Sequence, residues 1–152
     1  MAEEQSNVKV TLPPVNQIGI VVEDLDKAVQ FYSSIFGWGP FYVVETELKG
    51  AEYRGKPTNF KIKSATANSG QVQFSIVQIL EGETVHTELL RRKGEGLSHL
   101  CFFVTDLDDK IVELAKEGIK PIFSYKQPGL VRFAYLDTEK TGGVIIELLQ
   151  WG

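Results

Sequence analysis

Two stretches of this chain carry nearly the same message. Residues 17–30 read QIGIVVEDLDKAVQ and residues 99–112 read HLCFFVTDLDDKIV, an offset of 82 (99 − 17) at which the Asp-Leu-Asp triplets superimpose without a gap. Each copy is an apolar strand-like run, then Asp-Leu-Asp, then a helical pattern. A duplicated unit of this kind implies two copies packed about a pseudo-twofold axis. It also puts Gln17 and His99 at equivalent places, where two polar side chains on paired strands can face each other across one site.

The rest of the chain extends both copies. After Pro13 and Pro14, residues 15–22 read as a buried strand. Asp24 or Asp26 can cap the helix that follows, because a short carboxylate accepts the first free backbone N–H groups. Leu25, Ala28, Val29, Tyr32, Ile35 and Phe36 form its apolar stripe, and Gly37 stops it. Strands are expected at 41–48, 59–66 and 71–80, with a hairpin or loop at 50–57 and a turn at 68–70. A short helix at 84–93 turns Leu89 and Leu90 inward and leaves His86 exposed. The second copy gives a strand at 97–104, a helix at 106–116 closed by Gly118, and strands at 120–125, 131–137 and 143–150. The expected fold class is α+β. Two β-α-β-β-β modules, 15–80 and 97–150, with pseudo-twofold symmetry form a half-barrel around a cavity within a single domain, 1–152.

Composition narrows the partners. A chain of 152 residues buries about 70% of its unfolded surface, enough for a core. A net charge of −4 argues against nucleic acid, which needs a basic face. The single cysteine, Cys101, excludes an internal disulfide and fits a cytoplasmic location. No apolar run reaches the length of a membrane span. The polar, acidic start of the chain reads as a frayed tail and not as a signal peptide.

The end strands of the two copies each carry one polar residue in an apolar run: Gln78 in VQIL and Glu147 in IELL. The first and last strands of the copies therefore supply Gln17 and Gln78, then His99 and Glu147, 61 (78 − 17) and 48 (147 − 99) residues apart. Taken singly, each is an ordinary strand-edge or satisfied core residue. Taken together they point to one cavity, because a buried polar side chain is costly unless paired. An imidazole, a carboxylate and two amide oxygens make an N/O shell for a divalent metal. Their summed charge of −1 leaves such an ion net positive and able to polarise a carbonyl.

These same residues carry a resemblance to the vicinal oxygen chelate superfamily, which includes glyoxalase I, methylmalonyl-CoA epimerase, extradiol dioxygenases and bleomycin or fosfomycin resistance proteins. The matching segments are NQIGIVV at 16–22 with Asp24-Leu25, KGEGLSH at 93–99 with Asp106-Leu107-Asp108, and GVIIEL at 143–148. The epimerase-like and glyoxalase I-like branch is the most similar. The resemblance implies that Gln17, Gln78, His99 and Glu147 hold a divalent ion (Co, Ni, Zn or Mn). It implies that Glu147 is the base that removes a proton next to a carbonyl or thioester, giving a metal-stabilised enolate. The implied substrate is a small molecule, an acyl-CoA or a glutathione adduct, and the implied assembly is a homodimer.

The chain also departs from that pattern. The epimerases have His at the position of Gln17, and the first His of their paired His-His is Ser98 here. Their second catalytic Glu falls near Lys61, while Glu45 and Glu47 lie close by in sequence. A non-catalytic, drug-sequestering module of the same fold is the alternative. An extradiol dioxygenase is disfavoured, since its iron takes two His and a carboxylate and the second histidine here, His86, lies outside the ligand positions. Arg91, Arg92 and Lys93 suit a helix C-terminus or an anionic substrate tail. The aromatic run at 38–42 suits either core or pocket.

Overall fold

The computed structural model describes residues 7–152, and the expected frayed tail falls almost wholly outside them. In chain order the elements are β1 (Gln17–Val21), α1 (Leu25–Phe36), β2 (Tyr42–Tyr53), β3 (Lys56–Ser69), β4 (Val72–Glu81), α2 (Val85–Lys93), β5 (Gly96–Phe103), α3 (Leu107–Lys116), β6 (Pro121–Gln127), β7 (Val131–Leu136) and β8 (Ile145–Trp151). The fold is α+β. Its strands follow one another round a ring in the order β1-β4-β3-β2-β6-β7-β8-β5. Each half of the ring is one β-α-β-β-β module. The halves join along β1 and β5, and meet again only at the ends of β2 and β6, where Glu52 pairs with Ser124 and Tyr53 with Phe123.

The strand registers define the internal symmetry. β1 runs parallel to β4 with Gly19 opposite Ser75, and β5 runs parallel to β8 with Cys101 opposite Glu147. The offset is 82 (101 − 19) between the first strands and 72 (147 − 75) between the last. Gln17 therefore corresponds to His99. The expected match of Gln78 with Glu147 is corrected: Ser75 corresponds to Glu147, and Gln78 to Gln150 (150 − 78 = 72). Because strand side chains alternate, a three-residue slip puts Gln78 on the opposite face of its sheet.

On that outer face the two glutamines do the same job. Gln78 Oε1 accepts the Leu25 N–H at 2.9 Å, and Gln150 Oε1 accepts the Leu107 N–H at 2.9 Å. Each satisfies a backbone donor that the first turn of a helix otherwise leaves unpaired, and so pins the helix to its own sheet. Asp24, of the two candidate caps, also accepts the Lys27 N–H at 3.0 Å, whereas Asp106 makes no side-chain cap. Gly37 ends α1 in the left-handed region, φ 70°. Leu25 and Leu107, buried under these caps, anchor an outer core on each module. Trp38 stacks between Tyr32 and Phe74, at 4.4 and 4.0 Å, so this part of the aromatic run is core.

Two further elements differ from expectation. Of the hairpin or loop expected at 50–57 it is the hairpin that forms, with more of it in strand than expected, because Arg54 and Gly55 take φ 48° and 80° and close a tight turn between β2 and β3. His86, expected exposed, is 1% exposed. The cap of α2, Thr84, is itself fully buried and receives the N–H groups of His86 and Thr87, so the first turn of the helix is embedded. Val85, His86 and Leu89 are its buried face, while Leu90 is only half-buried. Val85 and Leu89 pack with Phe123, Phe133 and Tyr135 inside the ring.

Candidate active site

The ring encloses a cavity of about 570 Å³. One part of its wall is apolar, formed by Phe103, Leu130, Val131, Phe133, Leu149 and Trp151, with Leu48, Ile62 and Val77 on the first module. The hydroxyls of Thr46, Ser64 and Thr66, on β2 and β3, line the same space. Gln17, Gln73, Ser75, His99, Tyr135 and Glu147 complete the polar lining.

His99 and Glu147 meet within this lining. His99 Nε2 lies 3.3 Å from Glu147 Oε1, with side chains 2% and 5% exposed. The other ring nitrogen, Nδ1, is 2.7 Å from Ser98 Oγ. The imidazole lies directly over Gly19, its cross-strand partner, in space that any side chain at that position would fill. Gln17 donates its Nε2 to Gln73 Oε1 at 2.8 Å, leaving its own Oε1 as the oxygen available to a ligand.

Glu147 is flanked by its two strand neighbours, Cys101 on β5 and Tyr135 on β7. Burial first, and then the Glu147 charge, push both the Cys101 thiol and the Tyr135 hydroxyl up from their ordinary values. Both stay protonated beside the carboxylate. Beyond Tyr135 lies His86, whose Nε2 is 3.2 Å from the Tyr135 hydroxyl. Burial, then the nearby His99, hold the His86 imidazole well below its ordinary value, so it is neutral.

Of the four residues expected to converge, the structure brings Gln17, His99 and Glu147 to the cavity. Gln78 is held on the outer face by the α1 N-terminus, and Ser75 occupies the place it was expected to fill. Lys61 does not line the cavity, and Lys63 binds Asp26 at 2.9 Å on the outside. Glu45 and Glu47 are exposed. Arg91 pairs with Glu83, Arg92 and Lys93 with Glu139, and Arg132 with Asp108. Sequence reading missed Gly19, Tyr135 and His86. The repeat held one signal for the first: Gly19 and Cys101 are small residues at equivalent positions, each two residues after the polar pair Gln17 and His99.

The donor set suits a divalent ion. Two ligands each about 2.1 Å from one ion at a near-tetrahedral angle lie about 3.4 Å apart, close to the 3.3 Å between His99 Nε2 and Glu147 Oε1. Among the described residues no group of three or more His, Cys, Asp or Glu forms a metal-binding cluster. The further donor on the same lining is the neutral Gln17 amide oxygen.

Two duplicated half-barrels wrapped about a buried imidazole–carboxylate pair define a class of cavity protein. The chain belongs to the Glyoxalase/Bleomycin resistance protein/Dioxygenase superfamily, whose family model matches residues 16–135. It is 23% identical over 150 residues to the mitochondrial methylmalonyl-CoA epimerase of Mus musculus, covering 97% of this chain and 78% of that one. It is 22% identical over 138 residues to the Bacillus subtilis protein YqjC, covering 90% and 91%. A Streptomyces coelicolor methylmalonyl-CoA epimerase in complex with 2-nitronate-propionyl-CoA shares the fold, with a TM-score of 0.69 at 21% identity over 93% of this chain and 96% of that one.

Proposed function

We propose that this protein is an isomerase, epimerase or lyase that removes a proton from carbon next to a thioester or ketone carbonyl, with Glu147 as the base. One observation carries this reading: among the described residues, Glu147 is the sole carboxylate lining the cavity. The similarity to methylmalonyl-CoA epimerases supports it, as does a cavity of about 570 Å³, in the usual range for small-molecule sites. The apolar wall around Phe103, Phe133 and Trp151 suits an acyl chain.

Proton transfer here is a one-base process. The other titratable groups on the lining, His99 and Tyr135, both adjoin Glu147. No acid or base stands among the β2 and β3 lining residues, which carry hydroxyls and apolar groups. The proton that Glu147 takes is therefore returned by Glu147. His99, fixed through Nδ1 to Ser98 and by its seat on Gly19, keeps its Nε2 beside the carboxylate. The buried setting excludes bulk water and strengthens each polar contact. His99 Nε2, Glu147 and the Gln17 amide oxygen would hold a divalent ion, which when bound would act as a Lewis acid on the substrate carbonyl.

The test is hydrogen exchange. Purified protein is incubated in D₂O with methylmalonyl-CoA and, separately, with a glutathione hemithioacetal, and deuterium at the acidic carbon is followed by mass spectrometry. Wild type should catalyse exchange and Glu147→Ala should not. Undiminished exchange by Glu147→Ala would place the base elsewhere. No exchange on any thioester or hemithioacetal, with tight binding of an apolar ligand by metal-free protein, would favour the sequestering module.

A further inference from the structure

Glu147 is held by more than the residues that line the cavity with it. Tyr135 is its direct cross-strand partner, 6% exposed, and both side chains line the same cavity. That hydroxyl has one hydrogen. If it is donated to Glu147, the phenol oxygen can only accept from its other neighbour, which is His86 Nε2 at 3.2 Å. His86 must then carry its proton on Nε2. The opposite nitrogen bears this out: His86 Nδ1 is buried and has no hydrogen-bond partner among the described residues. An N–H left unpaired there would be an orphaned donor, whereas a bare lone pair in the same place is the lesser cost. Aromatic packing holds both rings. His86 and Tyr135 meet edge to face at 5.1 Å, and Phe123 lies 6.4 Å from His86 and 5.5 Å from Tyr135.

We propose that His86 and Tyr135 form a positioning relay for Glu147, in which His86 Nε2–H donates to the Tyr135 oxygen and the Tyr135 hydroxyl donates to the carboxylate. Neither is a catalytic residue. Tyr135 fixes which way the Glu147 oxygens point, and His86 fixes which way the Tyr135 hydroxyl points. The relay explains why a helix between the modules buries an imidazole where an apolar residue would otherwise pack with Val85 and Leu89. Its catalytic consequence rests on the assignment of Glu147 as base, but its structure does not.

Two measurements separate those parts. Nitrogen-15 NMR of imidazole-labelled protein reads the tautomer with no substrate present. His86 should be neutral, with Nε2 protonated and Nδ1 bare, and Tyr135→Phe should shift the Nε2 signal. A His86 that is protonated on Nδ1 in wild type overturns the relay, whatever the activity. Deuterium exchange into methylmalonyl-CoA then reads the consequence. Tyr135→Phe, which keeps the ring, should lower kcat by up to about 100-fold with KM little changed, as expected when a base is displaced by about 1 Å. His86→Leu should lower kcat less, since the hydroxyl remains. Wild-type kcat in Tyr135→Phe would overturn the positioning role while leaving Glu147 as base. Loss of exchange by the wild type itself would remove the base assignment, and the NMR result would still decide the relay.

Discussion

Gly19→Ala is the smallest change that should dismantle the site while sparing the fold. A Cβ at position 19 would lie within 2.5 Å of His99 Cε1, Nδ1 and Nε2. Unstrained contacts between such atoms are about 3.5 Å, so the ring has to retreat by more than about 1 Å. It has little room to do so, with the rings of His86 and Tyr135 at 5.5 and 5.1 Å and Glu147 against its Nε2. Overpacking of this kind costs about 1–3 kcal/mol, which for a chain of this size lowers Tm by about 2–12 °C. A base and its neighbour displaced by about 1 Å should lose about 100-fold in exchange rate. Calorimetry gives the first number and deuterium exchange into methylmalonyl-CoA the second. Gly118→Ala is the control: it strains a glycine at φ 78° in open space, so it should cost stability and leave the exchange rate alone. A Gly19→Ala protein with wild-type Tm and wild-type exchange would refute the seating of His99 on Gly19.

Other outcomes follow from the same geometry. Gln78→Ala and Gln150→Ala should each cost about 1 kcal/mol in urea unfolding, by orphaning a helix N–H, and neither should change metal binding measured by calorimetric titration. Metal binding lost in Gln78→Ala would mean that this side chain reaches the cavity after all. His99→Ala and Glu147→Gln should remove most divalent-metal binding, and Gln17→Ala should weaken it less, because a neutral amide is the poorer ligand. Stability should fall in acid partly through His86. Its folded value lies below the ordinary 6.5, so the unfolded chain binds a proton that the native one refuses, and stability declines as pH drops below about 6.5. The slope approaches about 1.4 kcal/mol per pH unit, and unfolding curves of His86→Leu between about pH 7 and pH 5 should be flatter.

Much of this was legible in the chain, and the misses have physical causes. The repeated QIGIVVEDLD and HLCFFVTDLD gave the modules and the equivalence of Gln17 with His99, because strand, cap and helix recur at one spacing. The last strands could not be aligned as safely. VQIL and IELL look alike, and periodicity cannot tell a glutamine that caps a helix from one that lines a cavity. The register did: Gly19 opposite Ser75 and Cys101 opposite Glu147 leave Gln78 and Gln150 on the outside. His86 was hidden for a different reason. Leu89 and Leu90 suggested a single apolar face, while burial of Thr84 tilts the first turn inward and takes His86 with it. Tyr135 reads as one more aromatic in a strand until its pairing with Glu147 is known.

The stereochemical course of exchange tests the one-base site most directly. A single configurational isomer of methylmalonyl-CoA, held in D₂O with the wild-type protein, reports both deuterium uptake and configuration. With Glu147 alone taking and returning the proton, each inversion needs the enolate to turn its other face to the same carboxylate, so exchange should run ahead of a slower inversion. Inversion at the rate of exchange would require an acid on the far face of the substrate, and would contradict a cavity in which His99, Tyr135 and Glu147 all stand together.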